Sequence, residues 1–204
     1  MAEFWNSLLT EKSWNLLQAI KKKFDFVLIG GWAVYLLTKQ QKSKDIDIVV
    51  SLNELQKLKS DGLSKNDKLK KYEIKKEEID IDIYAEHYSQ LELPVEDIKK
   101  YVVIIEGFKV ASPEVMIILK QGAYEDRKDS IKGQKDEIDI VSIIFFSDFK
   151  TKEYFGILKG YKKEYLFENL RRLVKSFKDY NRLNMTPREF KIRKNKILGE
   201  LKEV

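Results

Sequence analysis

The sequence predicts an α/β (α+β) fold with a helical C-terminal extension, and three observations carry that expectation. Short apolar runs stopped by glycine or turn residues alternate with helical periodicity between Phe24 and Phe146. Two stretches, Asp45-Ile46-Asp47-Ile48 and Ile79-Asp80-Ile81-Asp82-Ile83, alternate charged and apolar residues with the period of a strand. From Lys150 onward the apolar residues return at helical spacing. The expected division is a core domain over 1–149 and a basic helical region over 150–204.

Met1 to Lys22 carries Phe4, Leu8, Leu9, Leu16, Leu17 and Ile20, which predicts one or two amphipathic helices, with Trp5 and Trp14 as packing anchors. Phe24 to Ile29 reads as a buried strand, stopped by Gly30-Gly31. Two glycines let the chain turn sharply and bring bare N–H groups close to a ligand. A helix from Trp32 to about Lys39 would aim its free N–H groups and positive dipole end at the same point, which suits a phosphate. The next strand puts Asp45 and Asp47 on one face and both isoleucines on the other. Side-by-side carboxylates repel unless a cation joins them, and hard oxygen ligands of this kind suit Mg²⁺ held together with substrate phosphates.

Ser51 to Glu54 has capping-box spacing for a helix reaching about Lys59, and Asp61 to Lys71 is the most loop-like stretch. Tyr72–Lys76 and Ile79–Tyr84 read as strands, and Asp80 and Asp82 share a face of the second, so periodicity does not choose between them. A short helix is expected over Glu96–Lys100, then a hairpin, Val102–Ile105 and Phe108–Ala111 around Glu106-Gly107. Ser112-Pro113 opens a helix to about Ala123 that carries Lys120, and a second runs from about Lys135 to Phe146 with Asp136 and Asp139 on one face. Thr186-Pro187-Arg188-Glu189 is a capping box for the last helix.

Gly30-Gly31 followed by Asp45-x-Asp47, each after its own strand-like run, resembles the signature of the DNA polymerase β-like nucleotidyltransferase superfamily. The Gly30-Gly31-Trp32-Ala33 form resembles a minimal branch, with Trp32 where many members carry Ser or Thr. Ser112-Pro113-Glu114, Lys120, Arg127, Asp136 and Asp139 resemble a second block of AbiEii-like relatives, and the likeness spans about Phe24 to Phe146. The resemblance implies a mixed β-sheet flanked by helices and transfer of a nucleotidyl group from an NTP to an acceptor hydroxyl. It implies one or two Mg²⁺ ions on Asp45, Asp47 and a third carboxylate, Asp82, chosen over Asp80 for its Asp-Ile-Tyr context. It also implies Lys120 as a catalytic lysine, and nucleotide contacts from Gly30, Gly31, Ser43, Lys44, Asp136 and Asp139. A catalytically silent nucleotide- or partner-binding module of the same fold is the alternative. The single histidine, His87, reads as a surface or packing residue.

Composition bounds the partners. There is no cysteine, so disulfide and zinc–thiolate chemistry are excluded. No apolar run reaches the length of a membrane span and no signal-peptide pattern opens the chain, so a cytoplasmic protein is expected. The net charge is +6, but from Lys150 onward 16 Lys and Arg face 7 Asp and Glu, a balance of +9 that leaves −3 for the remainder. Such asymmetry suits either a polyanionic partner or a solvated, lysine-rich helical face; on the first reading RNA, tRNA included, is the favoured acceptor, ahead of a protein or small molecule.

Overall fold

The computed structural model describes residues 7–203, so Phe4 and Trp5 lie outside the described residues. The chain divides into two compact units, the first ending at Ser112 and the second running from Pro113. The expected boundary at 149/150 falls inside the second unit.

The first unit holds the whole sheet. After α1 (Ser7–Lys21) come β1 (Val27–Ile29), α2 (Gly30–Thr38), β2 (Ile46–Val50) and α3 (Leu52–Leu58), then β3 (Ser64–Asn66), β4 (Lys71–Lys76) and β5 (Ile79–Ala85). A short α4 (Val95–Ile98) and the hairpin β6 (Val102–Ile105) and β7 (Phe108–Ala111) complete it. The strands lie in the order β3-β4-β5-β2-β1-β7-β6. β2 runs parallel to β5 and β1 parallel to β7, and the other neighbours are antiparallel, so the sheet is mixed as expected.

β1 is shorter than the apolar run that announces it, because Phe24 and Asp25 have other partners. Phe24 N–H donates to Ile20 O and closes the end of α1, while Asp25 N–H donates to Glu54 Oε2. Glu54 therefore does not complete the capping box: Ser51 accepts from Glu54 N–H at 3.3 Å, but the Glu54 carboxylate is spent on Asp25 and Lys57. The loop expected over Asp61–Lys71 contains β3, a polar edge strand without the apolar alternation that marks strands in sequence. β5 alternates buried isoleucines with half-buried polar residues along its whole length, as half-covered strands do.

Trp32 is 1% exposed. Its Nε1 donates to Ser13 Oγ at 2.9 Å, and its ring lies 5.0 Å from that of Trp14, which also meets Phe108. The aromatic that follows the glycines thus anchors α2 on α1.

The second unit is helical: α5 (Pro113–Arg127), α6 (Ile131–Phe146), α7 (Thr151–Gly160), α8 (Tyr165–Ser176) and α9 (Pro187–Glu200). α5 and α6 each outrun their expected spans by a turn: Ser130 Oγ donates to Arg127 O at the end of α5 and caps α6 by accepting from Gly133 N–H. The Thr186–Glu189 capping box forms in full. No helix among the described residues is long and apolar enough to cross a membrane.

Candidate active site

Four features of the first unit converge on one face of the sheet. Strand pairing places Asp47 of β2 directly opposite Asp82 of β5, and Asp82 opposite Glu73 of β4. Because opposed residues point to the same face, Asp47, Asp82 and Glu73 form a row of carboxylates across three strands. Asp45 lies on that face, two residues before Asp47 and just ahead of β2. Lys71 crosses the row diagonally, its Nζ 2.6 Å from Asp82 Oδ2 and 3.1 Å from Glu73 Oε1.

Gly30 closes the site at the head of α2. It has φ +67°, and a Cβ there would fall 2.5 Å from Asp47 Cγ and 2.7 Å from Asp47 Cβ, with Oδ2 nearer still. A glycine is required twice over, by the left-handed backbone and by the carboxylate seated against its Cα. Asp47 therefore sits at the positive end of α2, where an anion is favoured. The helix begins at Gly30 instead of Trp32, so the first glycine is the point of close approach and Gly31 is already buried in the helix.

The electrostatics follow from crowding. Burial pushes the Asp82 carboxyl above its usual range, with Glu73 and Asp45 adding to the effect and Lys71 opposing it. Burial also disfavours the Lys71 ammonium, but its hydrogen bonds and attraction to Asp82 and Glu73 outweigh that and hold its pKa up. Ser43 is buried and spends its hydroxyl on Asp45 O at 3.2 Å, so it shapes the turn into β2. Lys44 beside it is half-buried. His87 is exposed in a left-handed turn beyond β5.

The donor set is all-oxygen, which suits Mg²⁺. Among the described residues no group of three or more acidic or histidine side chains already stands in ligating geometry. A magnesium site completed by substrate phosphates needs only one or two protein carboxylates, and Asp47 and Asp82, paired in register, are the two that could supply them.

The sequence alone does not single out Lys71 and Glu73. Their alternation with Tyr72 and Ile74 was visible, but their place beside Asp82 depends on the two-residue turn at Glu77-Glu78, where Glu77 takes φ +55° without the Asn or Gly that marks such turns.

The second unit carries its own cluster between α5 and α6. Lys120 Nζ lies 2.9 Å from Asp136 Oδ1 and 2.8 Å from Asp139 Oδ2. Arg127 Nε is 2.8 Å from Asp136 Oδ2 and Lys135 Nζ 3.0 Å from Asp139 Oδ2. Both aspartates are 1% exposed, so they are interior groups and not the surface ion pairs that helical spacing alone allows. Burial works against the Asp139 charge, but attraction to Lys120 and Lys135 prevails and keeps its carboxyl below the usual range. Lys120, also buried, is held charged by the same two acids.

Comparison with solved structures finds nucleotidyltransferase-like neighbours. An antigenic nucleotidyltransferase-like protein from Paracoccidioides brasiliensis is 20% identical over 67% of this chain and 75% of its own, with a TM-score of 0.41. JHP933 from Helicobacter pylori is 19% identical over 98% of this chain and 96% of its own, with a TM-score of 0.49. No protein-family model matches the chain, and no curated protein matches it.

Proposed function

We propose that the chain is a metal-dependent nucleotidyltransferase, moving a nucleoside monophosphate from an NTP to an acceptor hydroxyl with release of pyrophosphate. The observation that carries this reading is the register of Asp47 on Asp82 across two parallel strands, with the Asp47 carboxylate seated on Gly30 at the head of α2. Asp47 and Asp82, with Asp45 beside them, are the residues that would hold Mg²⁺. Bound there, the metal would neutralise phosphate charge and lower the pKa of the attacking hydroxyl.

The chain's own groups do the rest. Gly30, lacking a Cβ, seats the Asp47 carboxylate at the head of α2, and the phosphates would be drawn beside it by the metal held there. Asp82, opposite Asp47 in the register of β2 on β5, is our candidate to take the acceptor's proton. Lys71, on a flexible stem, keeps Asp82 and Glu73 neutralised between turnovers. Ser43 fixes the entry to β2 through Asp45 O, and Lys44 next to it is our candidate for a phosphate contact. Lys120, Asp136 and Asp139 enter as the clamp that holds α5 on α6. The acceptor we favour is RNA, on the strength of the +9 balance from Lys150 onward.

A silent binding module is the second reading, favoured by the Lys71 ammonium already on Asp82. Incubating the protein with each α-labelled NTP, Mg²⁺ and total RNA or lysate separates the two. Transfer should label a macromolecule, and Asp82→Asn should abolish it while Asp80→Asn, opposite Lys75, retains much of it. Absence of labelling with all four nucleotides, together with nucleotide binding, would establish the silent module instead.

A further inference from the structure

β6 is the last strand of the sheet and pairs only with β7. Its sequence, Val102-Val103-Ile104-Ile105, is as strand-prone and apolar as any in the chain. Yet none of the four is buried, and Ile104 is 67% exposed. Proteins ordinarily blunt such an edge with charge, proline or a bulge, and none of these interrupts β6.

The backbone direction of each residue is determined by the hairpin. Ile105 opposes Phe108 across the two-residue turn Glu106-Gly107, and Ser112 N–H donates to Tyr101 O at 2.8 Å. In an antiparallel pair, alternate residues turn their N–H and C=O toward the neighbour, so Tyr101, Val103 and Ile105 face β7. Val102 and Ile104 direct theirs to the open edge. On one face of the sheet the side chains of Val102 and Ile104 also line a pocket of about 360 Å³ with Phe26, Val49, Val50 and Val95.

We propose that this edge is the interface of a two-fold dimer, in which β6 pairs antiparallel with β6 of a second copy. Self-pairing is restricted by the backbone: outward groups meet only where an even-numbered residue opposes an even-numbered one. Of these registers, the one centred on Val103 sets Val102 opposite the second copy's Ile104. In that register Lys100, in the turn just ahead of β6, and the second copy's Glu106, in the turn just after it, fall at the same end of the seam, so opposite charges flank both ends. Centring on Val102 or Ile104 leaves those charges unmatched. Opposed residues share a face, so the second copy's Val102 and Ile104 extend the apolar lining of the pocket across the seam. Lys100 now pairs with Asp97 and Glu106 with Lys39, both on the surface, and exposed pairs exchange at little cost. The arrangement is isologous, as two-fold interfaces are.

The test is sedimentation equilibrium of the full chain from about 5 to about 500 µM, the range suited to a small interface, with amide hydrogen exchange at both ends. The mass should rise from 24.1 kDa toward twice that. The Val102 and Ile104 amides should gain protection with concentration while Val103 and Ile105, already paired with β7, do not change. Ile104→Lys should weaken association by more than about tenfold, a change expected for a central apolar contact. Lys100→Glu and Glu106→Lys should each weaken it, and the double variant should restore it. A wild-type chain that stays at 24.1 kDa throughout overturns the proposal, as does a dimer that forms with the Val102 and Ile104 amides unprotected. So does a monomer whose same amides become protected only on adding an extended peptide. The wild-type exchange data decide the matter if Ile104→Lys fails to fold.

Discussion

Replacing Gly30 with alanine tests the geometry of the carboxylate site directly. Two costs add. At φ +67° a residue with a Cβ pays about 1–2 kcal/mol for the left-handed backbone. The new methyl would also stand 2.5 Å from Asp47 Cγ, whereas relaxed carbon contacts lie at about 3.5–4.0 Å, so Asp47 must retreat by about 1 Å or more. Overpacking of that kind costs about a further 1–3 kcal/mol, for a total of about 2–5 kcal/mol. A shift of about 1 Å in a group that positions reacting atoms lowers rates on the order of a hundredfold. Denaturant unfolding of Gly30→Ala, Asp47→Gly and the double variant separates the two costs. In the Asp47→Gly background the alanine should cost only the backbone strain of about 1–2 kcal/mol. A Gly30→Ala protein within about 0.5 kcal/mol of wild type, the range of a neutral surface change, would refute the close approach. Equal costs in both backgrounds would assign the whole effect to the backbone.

Lys120→Met should destabilise the chain by about 3 kcal/mol or more, because it leaves two buried carboxylates short of a cation; denaturant midpoints will show it, and a loss under about 0.5 kcal/mol would contradict the clamp. Since the Asp139 carboxyl is held below its usual range when folded, its stabilising contribution is complete above about pH 5 and is lost as pH falls through the lower folded value. Asp139→Asn should therefore be less stable at neutral pH and flatten the acid limb of a thermal-stability profile, and an unchanged limb would argue against the shift. In RNA binding across a salt series, changing Arg171, Arg172, Lys175 and Lys178 to Gln should lower the salt slope by roughly one unit per lost phosphate contact. Unchanged binding and slope in a folded variant would remove that patch from the RNA argument.

Features decided within a few residues were legible without coordinates. The β6–β7 hairpin was expected at its observed bounds because Glu106-Gly107 marks a turn between two strand-prone runs. The last helix begins where Thr186, Pro187 and Glu189 dictate, since a capping box is closed by neighbours in the chain. Asp47 and the face it shares with Asp45 followed from the period of two in a strand. Partners distant in sequence were not legible. Period two leaves Asp80 and Asp82 equivalent, and only the pairing of β2 with β5 sets Asp82 against Asp47. Lys71 and Glu73 reach Asp82 through the register of β4 on β5. Trp32, next to the glycines in sequence, is claimed by Trp14 and Ser13 of α1. Helical spacing put Asp136 and Asp139 on one face but left open whether that face meets water. The packing of α5 on α6 buried it around Lys120. Local rules act through the covalent neighbourhood, which the sequence writes out, whereas register and burial depend on which distant surfaces meet, and only the folded chain determines that.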